Sequence, residues 1–204
     1  MKLYYSPGAC SLSPHIALLE AGLPYELVKV DVRAKKLENG DDYFKVNPKG
    51  QVPALGLDSG EIVTEGPVIV QIIADQASAK NLAPARDSAE RYKLLEWLNF
   101  ITSELHKNFS PLFNPAIPDE VKKFFVDRIM GKFKYIESQL ADRDYLMGKQ
   151  FTVADGYLYT MMRWADGQKL DLSALPNLMA YKARIAARPK VQEALTKEGL
   201  LKAA

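Results

Sequence analysis

The sequence contains very little cysteine and histidine. Its 204 residues include one cysteine, Cys10, and two histidines, His15 and His106. A single cysteine cannot form an internal disulfide, and so few thiol and imidazole groups leave no cluster for a zinc or iron site. We therefore expect no bound metal, and the scarcity of cysteine is typical of a protein from a reducing cytoplasm.

Long apolar runs and a strong net charge are also absent. No run approaches the roughly 20 residues that a membrane-spanning helix needs, and the opening MKLYYSPGAC turns polar too early for a signal peptide. The formal net charge is +2, with basic and acidic residues mixed along the chain. We expect neither a membrane nor a nucleic-acid partner, because no basic patch with interleaved aromatic residues is present.

The first 80 residues alternate between strand-like and helix-like patterns. KLYY predicts a short strand, and apolar residues then recur at helical spacing from Leu12 to Leu23, with Gly22 placed to end the helix. YELVKVDV alternates like a half-exposed strand, and QVPALGL and EIVTE flank the turn DSG of a hairpin. GPVIVQIIADQ predicts a second helix. This order predicts a small mixed sheet with helices packed on it over residues 1–80.

Helical patterns follow the polar segment ASAKNLAPARDSAE. One apolar stripe comprises Leu94, Leu98, Ile101, Leu105 and Phe109, and further stripes continue to the end of the sequence. Thr152 and Asp155 have the spacing of a capping box at the start of a later helix. The sequence therefore predicts an α/β domain over residues 1–80, followed by an all-helical domain over residues 87–204.

Cys10 lies in the turn SPGAC, at the junction between the first strand and the first helix. Unpaired N–H groups and the positive end of a helix dipole favour the thiolate there, which is the reactive form. CSLS is also a Cys-x-x-Ser motif, which can form a mixed disulfide but cannot resolve it internally. A second interpretation stays open, in which Cys10 is only a small buried apolar residue.

Two further segments carry residues that are suited to binding a peptide-like ligand. In NPKGQVPAL, a cis bond at Pro53 would leave Val52 able to pair with an extended peptide, although the local sequence favours an ordinary trans edge proline. In TEGPV, Glu65 and Gly66 precede a helix whose N–H groups can hold a carboxylate, and Glu65 could bind an ammonium group. Alternatively, Glu65 only complements the helix dipole.

Four segments in this order resemble the cytosolic glutathione transferases, and most closely their bacterial beta class. They are YSPGACSLSPHIALLEAG, NPKGQVPAL, TEGPVIVQIIAD and FTVADGYLYTMMRW, and the resemblance covers essentially the whole chain. It implies an N-terminal thioredoxin-like domain, an all-helical C-terminal domain and a homodimer. It also implies glutathione as co-substrate, a small hydrophobic electrophile as second substrate, and no permanently bound cofactor.

The resemblance further implies which residues form the site. Cys10 is expected beside the glutathione sulfur, with His106 as a second catalytic residue, and Pro53 is expected to be cis so that Val52 bonds the tripeptide backbone. The other expected glutathione contacts, some of them in the neighbouring subunit, are Tyr5, Lys35, Glu65, Gly66, Asn99, Ser103, Glu104, Leu105 and Lys107. Tyr157 and Trp164 are expected near the electrophile.

The spacing of polar residues gives some independent support to the interpretation that the segment NFITSELHK lines the site. Asn99, Ser103 and His106 stand at i, i+4 and i+7, so on a regular helix they share one face. That strip could line a site, or it could simply be a solvated face.

Two alternative functions stay open on the sequence. One is glutathione-dependent thiol–disulfide exchange, or reductive dehalogenation, through a mixed disulfide on Cys10. The other is a non-catalytic carrier of hydrophobic ligands, because transferase folds also serve as binding modules.

Overall fold

The computed structural model describes residues 1–201 and begins with a mixed five-stranded sheet. The strands are β1 (Lys2–Tyr5), β2 (Glu26–Asp31), β3 (Lys36–Leu37), β4 (Ala54–Gly56) and β5 (Ile62–Thr64), in the order β3-β2-β1-β4-β5. β1 runs parallel to β2 and antiparallel to β4, and β4 forms a hairpin with β5. The predicted βαβ unit and hairpin are confirmed. The short β3 lies in the polar segment between β2 and β4.

Two helices cover this sheet, α1 (Leu12–Ala21) and α2 (Gly66–Gln76). α1 is buried along almost its whole length because it packs against α2 as well as two helices of the C-terminal part. It ends at Gly22, which has a φ of 68°. Glycine adopts this left-handed conformation without steric penalty, so the predicted helix end is confirmed.

The remaining helices lie between residues 89 and 197. They are α3 (Ala89–Phe100), a π-helical segment (Ile101–His106), α4 (Lys107–Phe109), α5 (Asp119–Gln139), α6 (Val153–Gly167), α7 (Pro176–Ala186) and α8 (Pro189–Lys197). The predicted mixed α/β region followed by a helical region is therefore confirmed. Residues 202–204, the end of the predicted domain 87–204, lie outside the described residues. Within residues 1–201, no helix is both long enough and apolar enough to cross a membrane.

The helix through NFITSELHK is continuous but irregular. Its π-helical segment, Ile101–His106, is wider than an α-helical turn and shifts the positions that follow it. Asn99 and Ser103 are exposed, whereas His106 turns into the protein. The prediction that these three side chains share one face is therefore wrong, because it assumed a regular helical repeat.

Helix α6 joins the two parts of the molecule. The Asp155 carboxylate accepts hydrogen bonds from the Thr152 N–H at 2.7 Å, the Leu146 N–H at 2.9 Å and the Tyr181 hydroxyl at 2.8 Å. The predicted capping box is thus confirmed. Gly156 faces Ile16 of α1, whose Cγ2 would lie 3.4 Å from an added Cβ, so glycine lets the two helices pack closely.

Candidate active site

A cavity of about 370 Å³ lies between the sheet-containing part and the helical part. This volume falls within the range of small-molecule sites, roughly 300–1,000 Å³. Several residues predicted from the sequence line it, namely Cys10, Lys35, Val52, Pro53, Glu65, Gly66, His106, Lys107 and Tyr157. Two surface grooves are shallower and have larger volumes, about 750 and 560 Å³, but neither is lined by Cys10 or His106.

Some of the predicted residues lie in the core or pack behind the cavity wall. Tyr5 and Leu105 are buried in the hydrophobic core, with 8% and 0% of their surface exposed. The Trp164 indole donates a hydrogen bond to the Gly8 carbonyl at 2.8 Å and lies edge-on to His106. Trp164 therefore supports the loop before Cys10 and the His106 ring, but it does not line the cavity.

Three predicted residues of the helical segment NFITSELHK are not among those that line the cavity. Asn99 and Ser103 are exposed, and Glu104 forms an ion pair with Lys132 of α5 at 2.7 Å. None of the three lines the cavity, so they stay predicted contacts only.

The Cys10 side chain lies at the edge of the cavity, two residues before α1 begins. Its thiol donates a hydrogen bond to the Val52 carbonyl at 3.2 Å. Burial raises the pKa of Cys10 to about 12, and it outweighs the backbone N–H groups of Cys10 and Ser11, which lower that pKa. The expectation of a thiolate is therefore wrong for the chain by itself, and Cys10 is a neutral thiol at pH 7.

The loop opposite Cys10 is held in an extended shape. The Val52–Pro53 bond is cis, as the resemblance implied and contrary to the local preference for trans. The preceding carbonyl, that of Gln51, accepts hydrogen bonds from the Tyr43 hydroxyl at 2.8 Å and from the Asn47 side chain at 2.7 Å. These contacts fix the backbone that presents Val52 to the cavity.

Glu65 precedes the first turn of α2 in an unusual backbone conformation. Its φ of 69° is in the left-handed region, which costs a residue other than glycine on the order of 1–3 kcal/mol. Its carbonyl accepts the N–H groups of Val68 and Ile69, both at 3.0 Å. Its carboxylate pairs with Lys49 at 2.6 Å. Because both partners are more than half exposed, a cationic ligand group can displace Lys49 at little cost.

Cationic side chains surround the rest of the cavity rim. Lys35 also has a positive φ, 57°, and its Nζ donates to the Gly50 carbonyl at 2.7 Å. Lys49 and Lys107 line the same cavity. An ammonium group can donate three hydrogen bonds, so Lys35 keeps donors available for an anionic ligand.

His106 and Tyr157 form a neutral pair on the helical side of the cavity. The Nδ1 atom of His106 lies 2.6 Å from the Tyr157 hydroxyl. Burial, reinforced by nearby Lys107, lowers the pKa of His106 to about 4. Burial also raises the pKa of Tyr157 above its usual value. At neutral pH the pair therefore offers hydrogen bonds without charge.

Sequence reasoning missed several residues of the cavity. Lys49 faces Glu65, but the two are brought together by the β4–β5 hairpin and no local motif links them. Thr102 enters the cavity from the π-helical segment, which apolar spacing does not reveal. The sequence indicates Ser13 only as the last residue of the Cys-x-x-Ser motif. Within residues 1–201, no group of three or more His, Cys, Asp or Glu side chains is placed to hold a metal ion.

Comparison with known proteins places this geometry in a family. Residues 8–76 match the family described as "Glutathione S-transferase, N-terminal domain", and residues 100–189 match "Glutathione S-transferase, C-terminal domain". Glutathione S-transferase GstA of Escherichia coli O157:H7 is 50% identical over 200 residues, which cover 98% of this chain and 100% of that protein.

Solved structures of bacterial glutathione S-transferases are closely similar to the structure of this chain. A sphingomonad glutathione S-transferase complexed with glutathione is 51% identical with a TM-score of 0.95, over 98% of this chain and 100% of that one. The bacterial beta class enzyme of Sphingomonas chungbukensis is 49% identical with a TM-score of 0.96, over the same shares of both chains. These matches confirm the resemblance seen in the sequence, and the chain belongs to the glutathione S-transferase family.

Proposed function

We propose that this chain binds glutathione in the cavity and conjugates its thiol to hydrophobic electrophiles. The observation that carries the proposal is the convergence on one cavity of Cys10, the Val52 backbone and the Glu65 corner at the start of α2. These groups suit a sulfur, a peptide backbone and an α-amino acid end, which are the three parts of glutathione. The sphingomonad relative, with half of its residues identical, is described as a glutathione complex.

The charges around the cavity favour one orientation of the tripeptide. The γ-glutamyl ammonium pairs with the Glu65 carboxylate, and its carboxylate lies on the first N–H groups of α2, beginning at Gly66. Lys35, on the opposite loop, pairs with the glycine carboxylate. The Val52 backbone then bonds the central cysteine, whose sulfur is directed to Cys10.

The protonation states in the site suit attack by a glutathione thiolate. Because Cys10 is a neutral thiol at pH 7, it donates a hydrogen bond to that thiolate and so favours the reactive anion. The thiolate then uses an electron pair to form the new carbon–sulfur bond, and the leaving group departs with the pair from the bond that breaks. His106 and Tyr157 face the electrophile as neutral donors.

The same proposal assigns a role to each of the two parts of the chain. Residues 1–80 form the glutathione-binding domain, and residues 87–204 form the helical domain that contacts the electrophile. We further propose a cytoplasmic homodimer, in which the exposed Asn99 and Ser103 approach the glutathione of the neighbouring subunit. Sedimentation velocity tests the dimer, and a monomer at micromolar concentration would contradict it.

Titration calorimetry with glutathione tests the binding site. We expect saturable binding to the wild type at or below millimolar concentration. Glu65→Gln should bind about tenfold or more weakly, because a charge-assisted hydrogen bond is lost. Glu61→Gln is the matched control, since Glu61 is an exposed acid before β5 and outside the cavity. No binding to the wild type, or equal weakening by both variants, would contradict the proposal.

Thiol–disulfide exchange is a second candidate, favoured by the single Cys10 at the cavity edge. In it, the Cys10 thiolate attacks a disulfide of glutathione, one S–S bond forms while the other breaks, and a glutathione thiolate leaves. Mass spectrometry after exposure to oxidised glutathione should show a stable adduct of about 305 Da, because no second thiol resolves it. A carrier function would instead give saturable ligand binding with no turnover of any electrophile.

A further inference from the structure

Ser13 carries a buried hydroxyl that no described residue satisfies. Only 2% of its surface is exposed, and its Oγ makes no hydrogen bond within residues 1–201. It is the single buried side-chain oxygen or nitrogen of this kind in that part of the chain. Since buried hydroxyl groups are nearly always bonded, an exception calls for a functional explanation.

The position of Ser13 makes the missing bond more informative. A serine inside a helix can bond the carbonyl three or four residues earlier, as Ser103 does with Asn99 at 3.0 Å and Thr160 does with Gly156 at 2.9 Å. Ser13 makes no such bond, and it lines the cavity that contains Cys10. Its hydroxyl is therefore available to a group in that cavity.

Cys10 and Ser13 lie one helical turn apart. The Ser13 N–H donates to the Cys10 carbonyl at 3.2 Å, and the intervening Ser11 has the helical angles φ −63° and ψ −16°. Residues three apart on a helical turn have neighbouring side chains. Because both residues also line the same cavity, a rotation of the Cys10 side chain away from Val52 can bring its sulfur toward the Ser13 hydroxyl.

Ionisation of Cys10 supplies the reason for such a rotation. The thiol donates to the Val52 carbonyl in this structure, but a thiolate has no proton to donate and is repelled by a carbonyl oxygen. The sulfur must then find donors elsewhere, and the backbone N–H groups of Cys10 and Ser11 are already directed at it. Ser13 is the one side-chain hydroxyl on this turn that is not otherwise bonded, because Ser11 is bonded to Ser6.

We propose that the Ser13 hydroxyl donates a hydrogen bond to the Cys10 sulfur whenever that sulfur is a thiolate, and that it thereby controls the reactivity of Cys10 toward disulfides of glutathione. The bond stabilises the thiolate before it attacks and again when glutathione thiolate displaces it from the mixed disulfide. Ser13 would thus contact a reacting atom. The inference rests on the proposed role of Cys10 in the glutathione site and goes beyond it by adding Ser13.

The pH dependence of Cys10 alkylation tests this bond directly. Iodoacetamide reacts with the thiolate, and Cys10 is the only cysteine, so the rate below the pKa reports the thiolate fraction. The other groups near Cys10 are Glu65, which raises its pKa, and Lys107, which lowers it, together with the neutral Tyr157 and Tyr43 and, across the cavity, the neutral His106. All of them are unchanged in the variants.

We expect Ser13→Ala to react about tenfold more slowly than the wild type between pH 6 and 9, since losing a hydrogen bond to an anion raises its pKa by about one unit. Ser110→Ala is the matched control, because Ser110 is another hydroxyl of the same cavity, and its rate should equal that of the wild type. Equal rates for Ser13→Ala and the wild type would overturn the proposal. A purely structural serine would change the urea midpoint and leave the alkylation rate unchanged.

A second variant tests whether position 13 can reach the sulfur. In Ser13→Cys, treatment of the folded protein with diamide should form an internal disulfide between Cys10 and the introduced thiol, detected as the loss of two hydrogens by mass spectrometry. Failure to form it would overturn the proposal even if Ser13→Ala did not fold. Neither measurement contains glutathione, so a wrong glutathione site would appear separately, as absent binding in calorimetry.

Discussion

The stability of the protein should fall between pH 6.5 and 4 because of His106. Its pKa is lowered from 6.5 to about 4 in the folded chain, chiefly because the ring is buried against Tyr157 and Trp164. Above pH 6.5 the ring is neutral in both folded and unfolded states. Between pH 6.5 and 4 the unfolded state binds a proton that the folded state does not, so the free energy of unfolding decreases as pH falls. Below pH 4 the loss is complete.

The size of this loss follows from the shift in pKa. At 1.36 kcal/mol per unit, a shift from 6.5 to about 4 corresponds to about 3 kcal/mol. That is a large part of the 5–15 kcal/mol that typically separates folded from unfolded proteins. The effect should therefore be visible in ordinary urea unfolding.

Urea unfolding of the wild type and of His106→Gln, at one protein concentration from pH 7.5 to 4, measures the effect. Carboxylates titrate in both proteins and cancel in the difference, which should change by about 3 kcal/mol across the window. Tyr157→Phe keeps the burial and should keep most of the pH dependence. A difference between wild type and His106→Gln that stays constant with pH would refute the assignment of a neutral buried imidazole.

Three further outcomes are expected. Cys10→Ala should lose the glutathione adduct of about 305 Da entirely while retaining part of the conjugation activity, and persistence of the adduct would exclude Cys10 as its site. Lys49→Met should lower the free energy of unfolding, measured in urea, by less than about 1 kcal/mol, because its ion pair with Glu65 is exposed. A larger loss would show that the pair is not solvent-screened. Asp155→Ala should destabilise by about 3–5 kcal/mol, since four buried donors lose their acceptor, and unchanged urea unfolding would contradict the buried cap.

Much of the fold is encoded locally. Apolar spacing locates α1, α2 and the long helices, and Gly22 marks the end of α1 through its backbone freedom. The π-helical segment at Ile101–His106 is different. Leu98, Ile101, Leu105 and Phe109 are all buried, as a regular helix would also predict, although a wide turn lies among them. The apolar pattern therefore cannot reveal the turn that sends His106 into the cavity and leaves Ser103 exposed.

The site divides in the same way between local and tertiary effects. Glu65 can be identified because its place before a helix start is a local property. Its partner Lys49 cannot, because only the folded hairpin brings the two together. The pKa of Cys10 also depends on tertiary structure. The backbone N–H groups at the helix start lower this pKa, but burial between the two parts of the chain raises it by more.

The protonation of Cys10 links the two candidate reactions. As a donor to the glutathione thiolate, Cys10 must hold its proton, whereas as a nucleophile toward a disulfide it must lose it. Conjugation should therefore level off with rising pH once bound glutathione is ionised. Exchange should keep rising about tenfold per pH unit until the pKa of Cys10, which burial raises to about 12, is reached. A hydroxyl at Ser13 that stabilises only the thiolate shifts this balance toward exchange without changing the fold. The ratio of the two rates at a single pH should then change in Ser13→Ala, because only one of the two reactions uses the anion that Ser13 stabilises.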